Sequence, residues 1–519
     1  MSRRTQAALI LLAALGWLAL AVANLFFGEL NQDEGWYLYA ARLVSEGQLP
    51  FRDFAFTQGP MLPLVYAMGH GLVAKWGLAG GRGVTALFGI FAALAAASFA
   101  ARITPERKAA AAIFAFILIA LNVYHSYFTT VVKTYSLCAL FLTTGFVFAS
   151  RARLRNSTLF FACSGVSFAA AAATRITAGF ALPVIGIWLL LSRKAHGDRS
   201  WIAFGVGGAL GLALFLGTFY MLAPESFQFF LMQYHSYREA GSGLLATLAF
   251  KVGLISRVVQ AYFVAIAIGM ILAVAKSFGF ARSDSPRDGL VMAGWITLIG
   301  ITLVQAIAPF PYDDYQVPLF PLYAALLAAA LFRLPIFAAP RIAAVTLWAA
   351  LLLSGASAIS SPINQNWMIS GRDRIWWRMR ERPALLQLRD VAREIKKLSG
   401  ESKFLLTQDT YLAVESNLRV PRGWEMGIFS YYPDWPREKA ERLHVLSSDM
   451  LRADLELVPA TVVALSDYAF SIAAPAVSPL PESDRAGLWK FVETRFTAAG
   501  EIPYFGQGNT TLHLYTRAP

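Results

Sequence analysis

Charge is scarce in this chain. Only 15% of its 519 residues are Asp, Glu, Lys or Arg, where a soluble protein carries roughly a quarter. That shortage excludes an ordinary water-soluble globule. Cysteine is nearly absent as well, with two residues in all. Cys138 and Cys163 both fall in apolar runs, so no disulfide braces the polar segments, and their stability must come from their own cores. The six histidines show no metal-ligand spacing, and there is no DxD pair. P-loop, GxGxxG and nucleophile-elbow patterns are also missing. An enzyme built from this sequence would not hold a nucleotide donor in a soluble nucleotide-binding fold.

What the chain has instead is apolar length. Hydrophobic residues make up 57% of it, and the mean hydropathy is +0.51. Apolar runs of about 18 residues or more recur through roughly the first two-thirds, each long enough to cross a ~30 Å hydrocarbon core. The fold class is therefore a polytopic α-helical membrane protein. The formal charge of +13 sits in short basic clusters between the runs, which fits topology signals and not a nucleic-acid footprint. The start "MSRRTQAALILLAALGWLALAVAN" also has the form of a signal peptide, but its apolar run is long enough to span. Either way, residue 31 emerges outside.

Spans are expected at about 7–27, 82–101, 109–125, 135–150, on both sides of "ATRITAG", at 201–222, before "KSFGFARSDSPRD", on both sides of "PFPYDDYQVP", and at 342–360. This count of about eleven puts the N-terminus in the cytoplasm, the basic loops on that same side and the C-terminus outside. "GPMLPLVYAMGHGLVAKWG" reads as a short helix at the interface. Beyond residue 361 the composition changes. "RDRIWWRMRERPALLQLRDVAREIKKL" has the pattern of an amphipathic helix, and "KFLLT", "ATVVALS" and "TTLHLYTR" that of strands. The expected organisation is a transmembrane domain over 1–360 and a soluble α/β domain over 361–519 on the outer face.

Several polar residues stand out on that face. "NQDEGWYLY" places Asp33 and Glu34 directly after the first span. They are either an ordinary acidic loop or part of a site, and the following "LPFRDFAFTQGP", with Arg52 and Asp53, is aromatic and proline-marked like a folded loop. Arg175 interrupts an apolar stretch. A cation there costs several kcal/mol unless it is paired or faces water, so it is either a snorkelling arginine or an anion site. Lys133, at the mouth of the fourth span, allows the same two readings. His235 and Arg238 lie in another exported loop, where a lone histidine is more often structural than a ligand. "PYDDYQVPLFP" offers Tyr312, Asp313, Asp314 and Tyr315 before a span, and its tyrosines also suit interface anchors.

With these residues in place the sequence resembles the GT-C glycosyltransferase superfamily, and within it the branch of bacterial aminoarabinose transferases and protein O-mannosyltransferases. The resemblance rests on "DEGWYLYAARLVSEGQLPFRDFAFTQGP", on "AAAATRITAGFALP" and on "PYDDYQVPLFPLYAALLAA", and with the hydropathy order it covers most of residues 1–335. It implies transfer of a sugar, hexosyl or pentosyl, from a polyprenyl-phosphate carrier to a hydroxyl of an envelope lipid, glycan or protein at the outer face of a bacterial inner membrane. By that resemblance Asp33 is the general base, Glu34 its acidic neighbour, Arg175 a basic residue found between two spans, and Tyr315 a late-loop tyrosine. Arg52, Asp53, Lys133, His235, Arg238 and Asp314 are the further candidates for substrate or phosphate binding. Two departures matter. "VVKTYS" stands where many members carry another acid, and "TQGP" replaces a lysine-proline-proline. Both argue against that branch's own donor and acceptor.

The chemistry suits the residue types. Phosphate leaves without a general acid, so the enzyme needs a carboxylate to deprotonate the acceptor and cations to stabilise the leaving group. Direct attack predicts inversion. No cofactor is expected; a divalent ion on Asp33 and Glu34 is the less favoured alternative. The competing function is a flippase or transporter of lipid-linked sugars, which would use the same cations but needs sites reaching both membrane faces. "GWEMGIFSYYPDW", the most aromatic stretch of the C-terminal part, would help cover the site or select the acceptor, or would be plain structure.

Overall fold

The computed structural model describes residues 1–193, 197–234, 244–278, 288–308, 311–368, 382–468 and 482–517. Helix α1 (Arg3–Phe27) opens the chain. It is followed by α2 (Gln32–Ser45), α3 (Met61–Met68), α4 (His70–Trp76) and α5 (Leu78–Ile103). Next come α6 (Lys108–Ala120), α7 (Val123–Phe128), α8 (Thr134–Arg155) and α9 (Thr158–Thr174). The expected single interfacial helix is thus the pair α3 and α4, broken at Gly69.

Seven helices among the described residues are long and apolar enough to cross a membrane: α1, α5, α8, Asp198–Leu222, Gly289–Ile307, Asp313–Phe332 and Pro340–Ile359. An eighth crossing arises if Thr247–Ala261 and Phe263–Ser277, bent by 95° at their junction, act as one. The remaining apolar runs make shorter helices. α6 has 13 residues and spans about 20 Å, short of the ~30 Å core.

The outer stripes of the long helices are apolar. In α1, Leu11, Leu15, Leu18 and Val22 are exposed on one side while Leu9, Ala13 and Asn24 are buried on the other. Small residues let helices approach closely: Gly207 lies against the Ala162 backbone and Gly165 against Phe204 and Gly208, where no Cβ would fit.

Two hydrophobic cores result. One fills the helix bundle, with Phe99, Phe114, Phe146 and Phe332 at its centre. The second crosses the 1–360/361–519 division. It buries Leu38, Phe51, Phe56 and Leu62 of the first loop together with Leu385, Leu412, Trp424, Val463 and Leu514. The segment between α1 and α5 therefore packs as part of the C-terminal unit.

That unit is α/β. Its first described helix, Ala384–Ser399, buries Leu385, Leu388, Val391 and Ile395 on one stripe and stops at Gly400, whose φ is +54°. Four strands follow: β1 (Leu405–Leu406), β2 (Val462–Ser466), β3 (Phe496–Phe505) and β4 (Thr510–Arg517). Their order is β1-β2-β4-β3, with β1 parallel to β2 and the other pairs antiparallel. β2 is buried throughout and central. The three strands predicted from sequence are β1, β2 and β4. β3 escaped notice because its middle is exposed and carries Gly500 and Pro503, two residues that weaken a strand pattern. Most of "RDRIWWRMRERP" lies outside the described residues.

Candidate active site

The acidic pair does not sit in a loop. Asn31 is the N-cap of α2: its side chain accepts from Asp33 N at 3.0 Å, and Glu34 Oε2 accepts from Asn31 N at 3.1 Å. This reciprocal capping box fixes the first turn and sets both carboxylates at the positive end of the helix dipole. Helical periodicity then divides α2 into faces. Gln32, Gly35, Tyr39 and Arg42 lie together, as do Glu34 and Leu38, and Asp33 shares a third face with Trp36 and Tyr37.

The Asp33 face meets three other elements. Trp36 Nε1 donates to Asp33 Oδ1 at 3.2 Å, and Lys133, the N-cap of α8, places Nζ 3.4 Å from Asp33 Oδ2. Lys133 also reaches Asp314 Oδ2 at 3.1 Å, and Tyr135 Oη donates to that same oxygen at 2.8 Å. Arg175 enters from the end of α9. Its guanidinium carbon lies 4.9 and 4.7 Å from the ring centroids of Tyr135 and Tyr315, and Nη1 donates to Thr134 Oγ1 at 3.1 Å.

Three properties of this cluster bear on chemistry. The Asp33 side chain stays 25% exposed although its partners are buried. Arg175 Nε and Asp314 Oδ1 are buried without a hydrogen-bond partner, and among the described residues no carboxylate pairs with Arg175. Tyr37 is buried in the field of the whole group: burial pushes its hydroxyl well up, Asp33 adds to this, and Arg175 and Lys133 oppose it. Such an arrangement has donor and acceptor capacity left over for a guest.

Glu34 faces elsewhere. Its side chain contacts a different set of partners from that of Asp33: Arg82 of α5 donates from Nη2 at 2.6 Å and Nε at 2.8 Å, and Val132 N adds a bond at 3.2 Å. Both side chains of the pair are fully buried. Arg82 Nη1 also reaches the carbonyls of Asn24, Leu25 and Gly28 at the end of α1. Glu34 is thereby a structural pin joining α1, α2, α5 and the approach to α8.

The second acidic pair divides in the same way. Asp314 joins Lys133, whereas Asp313 binds Arg257 at 3.0 Å and accepts from Tyr124. Arg52 and Asp53 are not brought to Asp33. They pair with each other at 2.7 Å, Asp53 accepts from Leu49 N, and both line a groove with Tyr39, Arg419, Arg422 and Glu425 at the far end of α2. His235 and Arg238 lie outside the described residues.

The sequence reading missed Tyr37, Tyr135, Thr134 and Arg82. Tyr37 had a signal, since it follows Asp33 by four residues on a helix. Tyr135 and Arg82 had none, because their roles depend on partners more than 40 residues away. Among the described residues no group of three or more His, Cys, Asp or Glu could hold a metal ion.

No family model and no curated protein sequence matches this chain. Solved structures do. ArnT from Cupriavidus metallidurans in the apo state gives a TM-score of 0.60 at 15% identity, covering 97% of each chain. The same protein bound to undecaprenyl phosphate gives 0.55, again at 15% identity with 97% of each chain covered. At such identity the likeness is one of fold, and it spans nearly the whole chain: this polytopic membrane protein shares the fold of these ArnT structures.

Proposed function

We propose that the protein is an inverting glycosyltransferase that moves a sugar from a polyprenyl-phosphate carrier to an acceptor hydroxyl, with Asp33 as general base. The observation that carries this reading is a part-exposed carboxylate, Asp33, paired with Lys133 on the face of α2 where Tyr37 lies in the field of Asp33, Lys133 and Arg175 together.

The steps follow from the groups present. Asp33 takes the proton of the acceptor hydroxyl as its oxygen forms a bond to the anomeric carbon. The carbon–oxygen bond to phosphate breaks on the opposite face, its electron pair leaves with the polyprenyl phosphate, and the anomeric configuration inverts. Charge grows on the phosphate oxygens. Arg175 supports it best, since two tyrosine rings pack against its guanidinium and its Nε has no other partner; preorganised donors of this kind lower the barrier without reorganisation. Lys133 adds a second positive charge and at rest bridges Asp33 and Asp314. With that ammonium already between the two acids, the reading is metal-free. Tyr37 and Tyr315 complete the wall.

The carrier is inferred from the fold, one of whose holders is an ArnT structure bound to undecaprenyl phosphate. A prenyl tail reaching a site beside transmembrane helices also gives a reason for a catalytic body embedded in lipid. The acceptor is an envelope lipid, glycan or protein. The membrane is the bacterial inner membrane, with the N-terminus cytoplasmic and the C-terminal unit outside.

The test offers purified protein a panel of polyprenyl-phosphate sugars, with and without an envelope extract, and measures polyprenyl phosphate release. Wild type should release it and folded Asp33→Asn should be slower by roughly 10²–10⁴. Donor binding without turnover in either protein, with a competent acceptor present, would instead favour the transport function.

A further inference from the structure

α2 is gripped from its other side by the C-terminal unit, and the grip falls on the residues flanking Asp33. Gln32, directly before it, donates its side-chain amide to Asp409 Oδ1. Gln32 N, one of the first-turn amides that no helix can satisfy internally, donates to Gln507 Oε1 at 2.8 Å. Gly35, two residues after Asp33, lies against Tyr411 N and Thr410, and any Cβ there would collide with them. Three consecutive residues, Asp409, Thr410 and Tyr411, thus bracket Asp33 in sequence without touching it.

Asp409 is the hub. It is fully buried, accepts from Tyr411 Oη at 3.0 Å and Ser466 N at 3.3 Å as well as from Gln32, and has no cation paired with it among the described residues. Burial raises its carboxyl above the ordinary value despite those donors. A buried acid without a cation is unfavourable, so the position does more than fill space. The grip continues down the same face of α2. Tyr39 Oη accepts from Val420 N at 3.1 Å, and Arg42 donates to Leu418 O at 2.9 Å. One unit thereby fixes both the rotation and the tilt of the helix that presents Asp33 to Lys133.

We propose that Asp409 is a positioning residue for the reaction: acting through Gln32, it sets the rotation of α2 that aims Asp33 at the acceptor hydroxyl. This rests on the glycosyl-transfer reading above.

The experiment uses full-length Gln32→Ala and Asp409→Ala, with the donor identified in the panel and the same envelope extract. Turnover is followed against donor concentration and pH, and hydrogen exchange of residues 31–37 is measured alongside. Expected are a fall in kcat of about tenfold or more with donor KM changed less than about twofold, a displaced acid limb in the kcat–pH profile, and faster exchange in the first turn of α2. The double variant should be no slower than the worse single one, because both remove one interaction. If Asp409→Ala fails to fold, Gln32→Ala alone carries the test, since it leaves Asp409 with Tyr411 and Ser466. Lower thermal stability with kcat per folded molecule and pH profile unchanged would overturn the proposal. Wild type without turnover on any donor would defeat the glycosyl-transfer reading instead; unchanged exchange at 31–37 would then still overturn the grip.

Discussion

Asp33 and Glu34 each face a cation delivered by a transmembrane helix, Lys133 at 3.4 Å and Arg82 at 2.6 Å. The surroundings of the two pairs differ in one respect. Around Glu34 the partners are complete: two bonds from one guanidinium, two backbone amides and no solvent. Around Asp33 they are incomplete: the cation is shared with Asp314, a quarter of the side chain is open, and a buried guanidinium nitrogen nearby has no partner. A closed pair holds elements together, because opening it strands a charge. An open one can admit a substrate and change its protonation. Proximity in sequence says nothing about which is which; the direction in which each helical position faces decides it.

That contrast can be broken at several points. The largest effect expected is the loss of roughly 10²–10⁴ in turnover for Asp33→Asn, since the carboxamide keeps the shape and removes the proposed base. Glu34→Gln leaves Arg82 buried without its counter-charge and should destabilise the protein by about 3–5 kcal/mol, read as a lower melting temperature in detergent. Arg175→Lys retains the charge but not the planar guanidinium packed against Tyr135 and Tyr315. It should lower kcat/KM on the order of tenfold with thermal stability little changed.

The smallest effect comes from Glu425, a third arrangement: a nearly buried acid with no cation paired to it among the described residues, whose carboxyl burial pushes up from 4.5 to about 7. Its folded value lies above its ordinary one, so between those values the folded state binds more proton than the unfolded chain. Stability from this group is therefore fully present below about pH 4.5, declines as pH rises, and levels off above about 7. Denaturation of wild type and Glu425→Gln across that window should show the slope flattened in the variant.

Much of this was legible beforehand. The apolar runs gave the polytopic class, and the motifs around Asp33, Arg175 and Asp314 named residues that the fold gathers although more than 100 positions separate each from the next. Capping was legible too, since Asn31 followed three residues later by Glu34 is the sequence form of a capping box. That pattern gives Glu34 a capping role in α2. The three faces of α2 could be read once its start was fixed, but what each face meets could not. Arg82 looks like one more arginine near a span, and Asp409 like one acid in a polar segment. Both matter because of contacts made across 48 and 377 residues, which local periodicity does not carry. The span count is limited for a related reason. A bent pair and helices of 13 to 17 residues are as apolar as full crossings, and only where each helix breaks or bends sets them apart.

The most direct test of the division of labour is a crossed one. Asp33→Asn and Glu34→Gln are prepared alongside wild type in the same detergent and lipid, and each is scored for melting temperature and for polyprenyl phosphate release per folded molecule. Asp33→Asn is expected to melt like wild type and to have lost turnover, while Glu34→Gln melts lower and its folded fraction still turns over. A folded, stable Glu34→Gln that has lost turnover, or an Asp33→Asn that keeps it, would contradict the account.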